Sequence, residues 1–220
     1  MAEKNYSDTC YFLVKRIIDI AGSIVALIFF SPICLLTAIA IEIESPGPVL
    51  ADTPKRMGKD GKEFRLLKFR SMIPNAHLLL HTDPKFKKLL EEYKKSSYKL
   101  HNDPRITKVG KFIRKHSIDE IPQLVNILLG DMSLVGPRPY YPFELEEQQK
   151  KYPNTKELVK EVLKAKPGLT GQWQVSGRSE INFDKRIEMD ADYARRRSII
   201  YDILILLQSP IAMIVGKGAV

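Results

Sequence analysis

The chain has 220 residues and 44% hydrophobic content, with 35 Lys and Arg against 26 Asp and Glu for a formal charge of +9. That length suits one catalytic domain plus a membrane element. Its two cysteines, Cys10 and Cys34, are too few for a disulfide framework and fit a reducing cytoplasmic setting. The histidines His77, His81, His101 and His116 lack HExxH or Cys/His ligand spacing, which argues against a structural zinc site. The basic excess suits nucleic acid, anionic lipid headgroups or polyanionic substrates, and does not choose among them.

The first predicted element, within residues 1–45, is membrane-directed: residues 20–41 carry no charge. An apolar run of about 20 residues can cross a bilayer core as a helix. Lys15 and Arg16 precede it, and Lys55, Arg56 and Lys59 follow, so both flanks are drawn to the cytoplasm. Pro32 removes a backbone donor in mid-run, and the Ser31 hydroxyl can satisfy groups freed there. A re-entrant helix-break-helix hinged at Ser31 and Pro32 satisfies both observations. A spanning helix stays open as the alternative. A signal peptide would use Ala38–Ile39–Ala40 for cleavage, but the run exceeds the usual apolar core of about 7–15 residues. Asp19 and Lys15, four residues apart, are expected to form a local ion pair.

Residues 46–220 form the predicted catalytic part. Ser45–Pro46–Gly47–Pro48 ends any helix, and Gly58–Lys59–Asp60–Gly61 signals a hairpin turn. Phe64, Leu66 and Phe69 suggest a half-buried strand carrying Lys68 and Arg70 on one side. From Ala76 to Leu100 apolar residues recur at helical spacing, with Asp83–Pro84 as a start signal. Val109, Phe112 and Ile113 open an amphipathic helix, and Pro122 places Asp119 and Glu120 at a helix N-terminal turn. Residues 144–166 read as helical, 172–178 as a short strand, and Phe183 to Arg197 as a helix. The apolar end, interrupted by Asp202, Gln208 and Pro210, reads as a packing or interfacial segment.

The chemistry-bearing residues centre on Asp119 and Glu120. Acidic pairs at helix starts are commonly dipole partners, but here Arg114, Lys115 and His116 lie within about a turn and a Gly/Pro strip follows. An aspartate can attack a phosphoryl group, and a neighbouring carboxylate can hold Mg²⁺ or act as a base. Pro137 and Pro139 stiffen the backbone around Arg138, lowering the entropy lost when its guanidinium grips a phosphate. Gly168, Gly171 and Gly177 either let backbone approach a nucleotide or serve an ordinary turn. Trp173 stacks on a base or sugar, or belongs to the core.

SPICLL, LKFRSM, DPRITKVGKFIRKHSIDEIPQLVNILLGDMSLVGPRP and KPGLTGQWQVSGR together resemble the bacterial sugar transferases, the monotopic polyprenyl-phosphate phosphoglycosyl transferases. The resemblance runs from Lys15 to the C-terminus, and the ending looks closer to the hexose-1-phosphate enzymes. It implies an α/β, mostly helical monotopic fold: a re-entrant N-terminal helix with a cytoplasmic-face core of helices around a small sheet. It further implies transfer of a sugar-1-phosphate from a UDP-sugar to undecaprenyl phosphate, with release of UMP, at the cytoplasmic face of a bacterial inner membrane. Asp119 would be the nucleophile and Glu120 its assistant, with both at Mg²⁺, which Mn²⁺ could replace. The substrate-binding set is Arg114, Arg138, Lys68, Arg70, Arg178 and Gln174. Membrane lipids are expected partners, nucleic acid is not, and a homodimer is allowed. The stretch from Ala76 to Leu100 is longer than in the smallest members and suits a sugar-specific lid or an oligomer contact. No residue identifies the sugar.

The competing expectation is a membrane-anchored basic module that binds nucleic acid or lipid without chemistry. Lys87–Lys88, Lys94–Lys95 and Arg195–Arg196–Arg197 support it, although such runs more often are solvated helix faces. The basic residues are not interleaved with aromatics as nucleic-acid modules require.

Overall fold

Helix α1, Ala2–Glu44, contains the uncharged apolar run of residues 20–41, and its interior amides close on carbonyls one turn back. The computed structural model describes residues 2–95, 100, 103–177 and 181–215. Within α1, Thr9–Glu44 is long and apolar enough to cross a membrane. Val25, Ile28, Phe29, Leu35 and Leu36 are exposed along it, an apolar surface of the kind a lipid phase covers. α1 runs through Ser31 and Pro32, the residues of the expected hinge, with Pro32 inside the helix. Pro32 withdraws one amide from the ladder, which weakens the helix at that point.

The remaining elements follow in chain order: β1 (Arg56–Met57), β2 (Glu63–Phe64), α2 (Ala76–Thr82), α3 (Lys87–Lys95), α4 (Lys108–Lys115), α5 (Gln123–Leu129), β3 (Ser133–Val135), α6 (Pro142–Lys151), α7 (Lys156–Val162), β4 (Gly168–Thr170), α8 (Gln172–Ser176), α9 (Phe183–Arg196) and α10 (Ile199–Val215). Helices predominate, with two two-stranded ribbons among the described residues. The described residues form two compact units, one from 2–29, 54–66 and 123–215, the other from 30–53 and 67–122.

In the first unit, the Gly58–Gly61 turn closes β1 and β2 as an antiparallel hairpin, with Asp60 and Gly61 at φ 57° and 75°. Apolar residues of α9 at helical spacing, Phe183, Ile187 and Ala191, pack on Val159 and Val162 of α7 and on Tyr140. β3 and β4 pair in parallel, Ser133 opposite Gly168 and Val135 opposite Thr170. Of the strand expected over 172–178, residues 172–176 instead form α8, and Arg178 lies outside the described residues. Pairing with β3 is already met by Gly168–Thr170, and Gly171 then gives the extended N-cap from which α8 starts. The expected Lys15–Asp19 pair is also corrected. Lys15 Nζ bonds Asp202 Oδ2 at 2.6 Å, while buried Asp19 accepts from Ser133 Oγ at 3.0 Å and Leu134 N at 2.9 Å. A buried carboxylate needs fixed donors, and the start of β3 supplies them better than a screened pair on one helix face.

In the second unit, Glu44 at the end of α1 accepts the N–H groups of Lys108 and Val109 at 2.7 and 2.8 Å. It thereby neutralises the first turn of α4, whose N-cap Thr107 accepts from Gly110 N. Gly110 lies so close to Ser71 that an added Cβ would meet the Ser71 carbonyl oxygen at 1.9 Å. Ile41, Phe69 and Ile113 form the core here, joined by Val49, Val109 and Ile118. The expected strand from Phe64 to Phe69 shrinks to Glu63–Phe64 and one bridge between Phe69 and Leu50. Phe64 and Leu66 keep a period of two, but Phe69 falls out of step, so the backbone leaves the ladder. The helical reading that began at Ala76 is met over residues 76–95 by α2, a 3₁₀ turn and α3, with Asp83 accepting from Lys85 N at 2.9 Å. Residues 96–99 of that stretch lie outside the described residues.

Candidate functional site

Helix α4 ends at Lys115 with His116 as its C-cap, and Ser117 then takes a left-handed conformation, φ 54° and ψ 22°, before the 3₁₀ turn Ile118–Glu120. A non-glycine residue there is held against its preference, which is how the chain turns abruptly towards Asp119. The Asp119 carbonyl accepts from Phe69 N at 2.9 Å. That bond sets the neighbouring Lys68 beside the aspartate, with Nζ 2.9 Å from Asp119 Oδ2. Asp119 is 4% exposed and Lys68 half-buried. Water screens such a pair weakly, so the lysine both orients the carboxylate and offsets its charge. A carboxylate fixed in this way is equipped to attack a phosphoryl group.

Arg114, in the last turn of α4, is half-buried, as is Glu120 beside Asp119. Arg70 has a different setting from the one expected. It is buried, and its guanidinium donates to the Pro48 carbonyl, the Ser45 hydroxyl and the Ser45 carbonyl. It therefore braces the turn after α1 rather than presenting a charge. Asp119 and Glu120 suit a Mg²⁺ of the substrate-bridging kind, held by one or two carboxylates and completed by phosphate oxygens and water. Among the described residues no group of three or more His, Cys, Asp or Glu side chains forms a dedicated cage.

Arg138 and Gln174 belong to the first unit, and Arg178 lies outside the described residues. The Arg138 guanidinium sits 5.0 Å from the Trp173 ring centroid, and that of Arg186 5.8 Å. Trp173 is buried against these cations, while Gln174 holds a buried Oε1 without a hydrogen-bond partner among the described residues. The glycines read as a nucleotide approach serve a different close approach. Cβ atoms on Gly168 and Gly171 would meet Gly136 N at 2.1 Å and Gly136 O at 2.2 Å. Here protein backbone crosses protein backbone.

The sequence reading passed over Asp190 and Tyr140. The Asp190 carboxylate accepts from Arg138 N at 3.1 Å and from the Tyr140 hydroxyl at 2.8 Å. Burial pushes its carboxyl up to about 7, against the opposing pull of these two donors and of Arg186 and Arg138. The signal was present: Asp190 lies on the same α9 face as Phe183, Ile187, Ala191 and Ala194, an acid inside an apolar stripe.

A family model described as bacterial sugar transferase matches residues 10–216. The chain is 42% identical over 210 residues to the undecaprenyl-phosphate galactose phosphotransferase of Salmonella typhimurium, covering 94% of this chain and 41% of that protein. It is 37% identical over 205 residues to the exopolysaccharide production protein ExoY of Sinorhizobium fredii, covering 93% and 87%. Over 215 residues it is 36% identical to the UDP-glucose:undecaprenyl-phosphate glucose-1-phosphate transferase of Escherichia coli, covering 94% and 41%. The chain thus spans about two fifths of the length of several relatives it matches.

Proposed function

The chain belongs to the bacterial sugar transferase family, and on that footing we propose that it moves a sugar-1-phosphate from a UDP-sugar to undecaprenyl phosphate. The products are undecaprenyl-diphospho-sugar and UMP, and the glycan begun is an O-antigen, capsule or exopolysaccharide. The observation that carries the reading is the buried Asp119 held by Lys68 at 2.9 Å. With Oδ2 on the lysine, we assign Oδ1 to attack the sugar-proximal phosphorus. Its bond to the UMP oxygen breaks and UMP leaves, giving an aspartyl-phosphosugar. An undecaprenyl phosphate oxygen then attacks the same phosphorus, the Asp119–phosphorus bond breaks, and the carboxylate is restored.

Asp119 and Glu120 are the residues that would hold Mg²⁺, which when bound neutralises diphosphate charge. Glu120 assists the acceptor, while Arg114 and Arg138 are assigned to phosphates. The assay is UMP release by detergent-solubilised protein with a panel of UDP-hexoses, undecaprenyl phosphate and Mg²⁺. Release that needs the lipid acceptor supports the reading, and folded protein that releases none from any donor contradicts it. Lys68→Met should lower kcat about 100-fold, as loss of a preorganised electrostatic partner does; unchanged kcat would detach the lysine from the reaction.

We further propose that residues 1–45 enter and leave the cytoplasmic leaflet of a bacterial inner membrane, with 46–220 carrying catalysis on that face. Basic flanks on both sides of the apolar run support this. Cysteine labels at residue 60 and at the N-terminus should both react only from the cytoplasm. Periplasmic labelling of the N-terminus would establish a spanning helix instead.

A further inference from the structure

We infer that Asp190 is a positioning residue, which clamps the Pro137–Arg138–Pro139 strap so that the Arg138 guanidinium is held ready for a substrate phosphate; the inference rests on the phosphate role proposed for Arg138. Two prolines fix φ on either side of Arg138, yet a stiff strap still needs anchoring. Its anchors are in place on nearly every residue. The Pro137 carbonyl accepts from Gly168 N at 2.8 Å, the Pro139 carbonyl from Arg56 at 3.1 Å, and the Tyr140 carbonyl from Met57 N at 2.8 Å. Arg138 and the Tyr140 side chain are tied by a single oxygen, Asp190 Oδ2, at 3.1 and 2.8 Å.

Asp190 is fully buried, and its other oxygen, Oδ1, has no hydrogen-bond partner among the described residues. A carboxylate in such a place is expensive unless its remaining contacts matter. The charged and titratable groups around it are Arg138 on the strap, Tyr140 after it, Arg186 on α9, and Glu144 of α6, which lies 3.9 Å from Arg186. Burial pushes the carboxyl towards neutrality, so a proton on Oδ1 leaves Oδ2 accepting from both donors. Asparagine can reproduce that arrangement with its carbonyl oxygen, and alanine cannot.

The test combines Asp190→Asn, Asp190→Ala, Arg138→Ala and the Asp190→Ala/Arg138→Ala pair in full-length protein. Misplacing a binding group lowers turnover by about 100-fold, so Asp190→Ala should lose about that much kcat/KM, and Asp190→Asn less than about tenfold. Because Asp190 acts through Arg138, the double variant should be no worse than the poorer single one. Losses that multiply, or Asn and Ala variants equally impaired, overturn the inference. Trp173 is the sole tryptophan and lies against Arg138, so its fluorescence reports the strap without any turnover. Acrylamide quenching should rise in Asp190→Ala and stay at the wild-type level in Asp190→Asn; unchanged quenching in both also overturns it. Absence of UMP release in the wild type would instead strike the proposed reaction, leaving the fluorescence result to decide the clamp.

Discussion

Asp119→Asn should leave the protein folded and lower kcat by about 10⁴-fold or more, the scale of removing an essential nucleophile. The amide keeps the size of the carboxyl group, and the backbone bond from Phe69 N to the Asp119 carbonyl is untouched. What disappears is the charge and the attacking oxygen. Lys68 then faces a neutral amide instead of its 2.9 Å partner, which costs some stability because a half-buried cation loses its counter-charge. The variant should therefore melt somewhat lower and still bind UDP-sugar. Turnover within tenfold of wild type would remove Asp119 from the chemistry.

The second large effect concerns folding. Gly168→Ala should destabilise the first unit by about 3 kcal/mol or more, the upper range for overpacking. An added Cβ would sit 2.1 Å from Gly136 N and 2.3 Å from Thr170 O. Both are backbone atoms, locked by the bonds of Ser133 N to Pro167 O and Gly136 N to Thr170 O at 2.9 Å. No rotamer change relieves that clash, so β3 and β4 must separate. Denaturant unfolding checks this, and a midpoint equal to the wild type would mean that the close crossing of these loops is wrong.

These two predictions mark what was legible in the sequence. The apolar run, the glycine turn and the amphipathic spacing of Val109, Phe112 and Ile113 became α1, the β1–β2 hairpin and α4, because periodicity and turn chemistry are local signals. The Asp119–Glu120 pair stood out because Arg114, Lys115 and His116 are its sequence neighbours, whereas the cation that meets Asp119 is the distant Lys68. Non-local partners were hidden. Nothing in the spacing of Lys15 points to Asp202, 187 residues on, rather than to Asp19 one turn away. Arg70 looked like a binding cation because sequence shows charge but not the Ser45 and Pro48 carbonyls that absorb it. Glycines 168 and 171 signalled close approach correctly but could not say to what. Asp190 could have been found, since an acid on the buried stripe of α9 needs a reason.

The central claim, covalent catalysis by Asp119, is met most directly by intact-mass measurement of protein quenched after exposure to a UDP-hexose without undecaprenyl phosphate. Wild-type protein should gain the mass of one hexose phosphate, and should lose it when undecaprenyl phosphate is added. Asp119→Asn should gain nothing. UMP released at full rate with no adduct, or an adduct that survives in Asp119→Asn, would contradict the account.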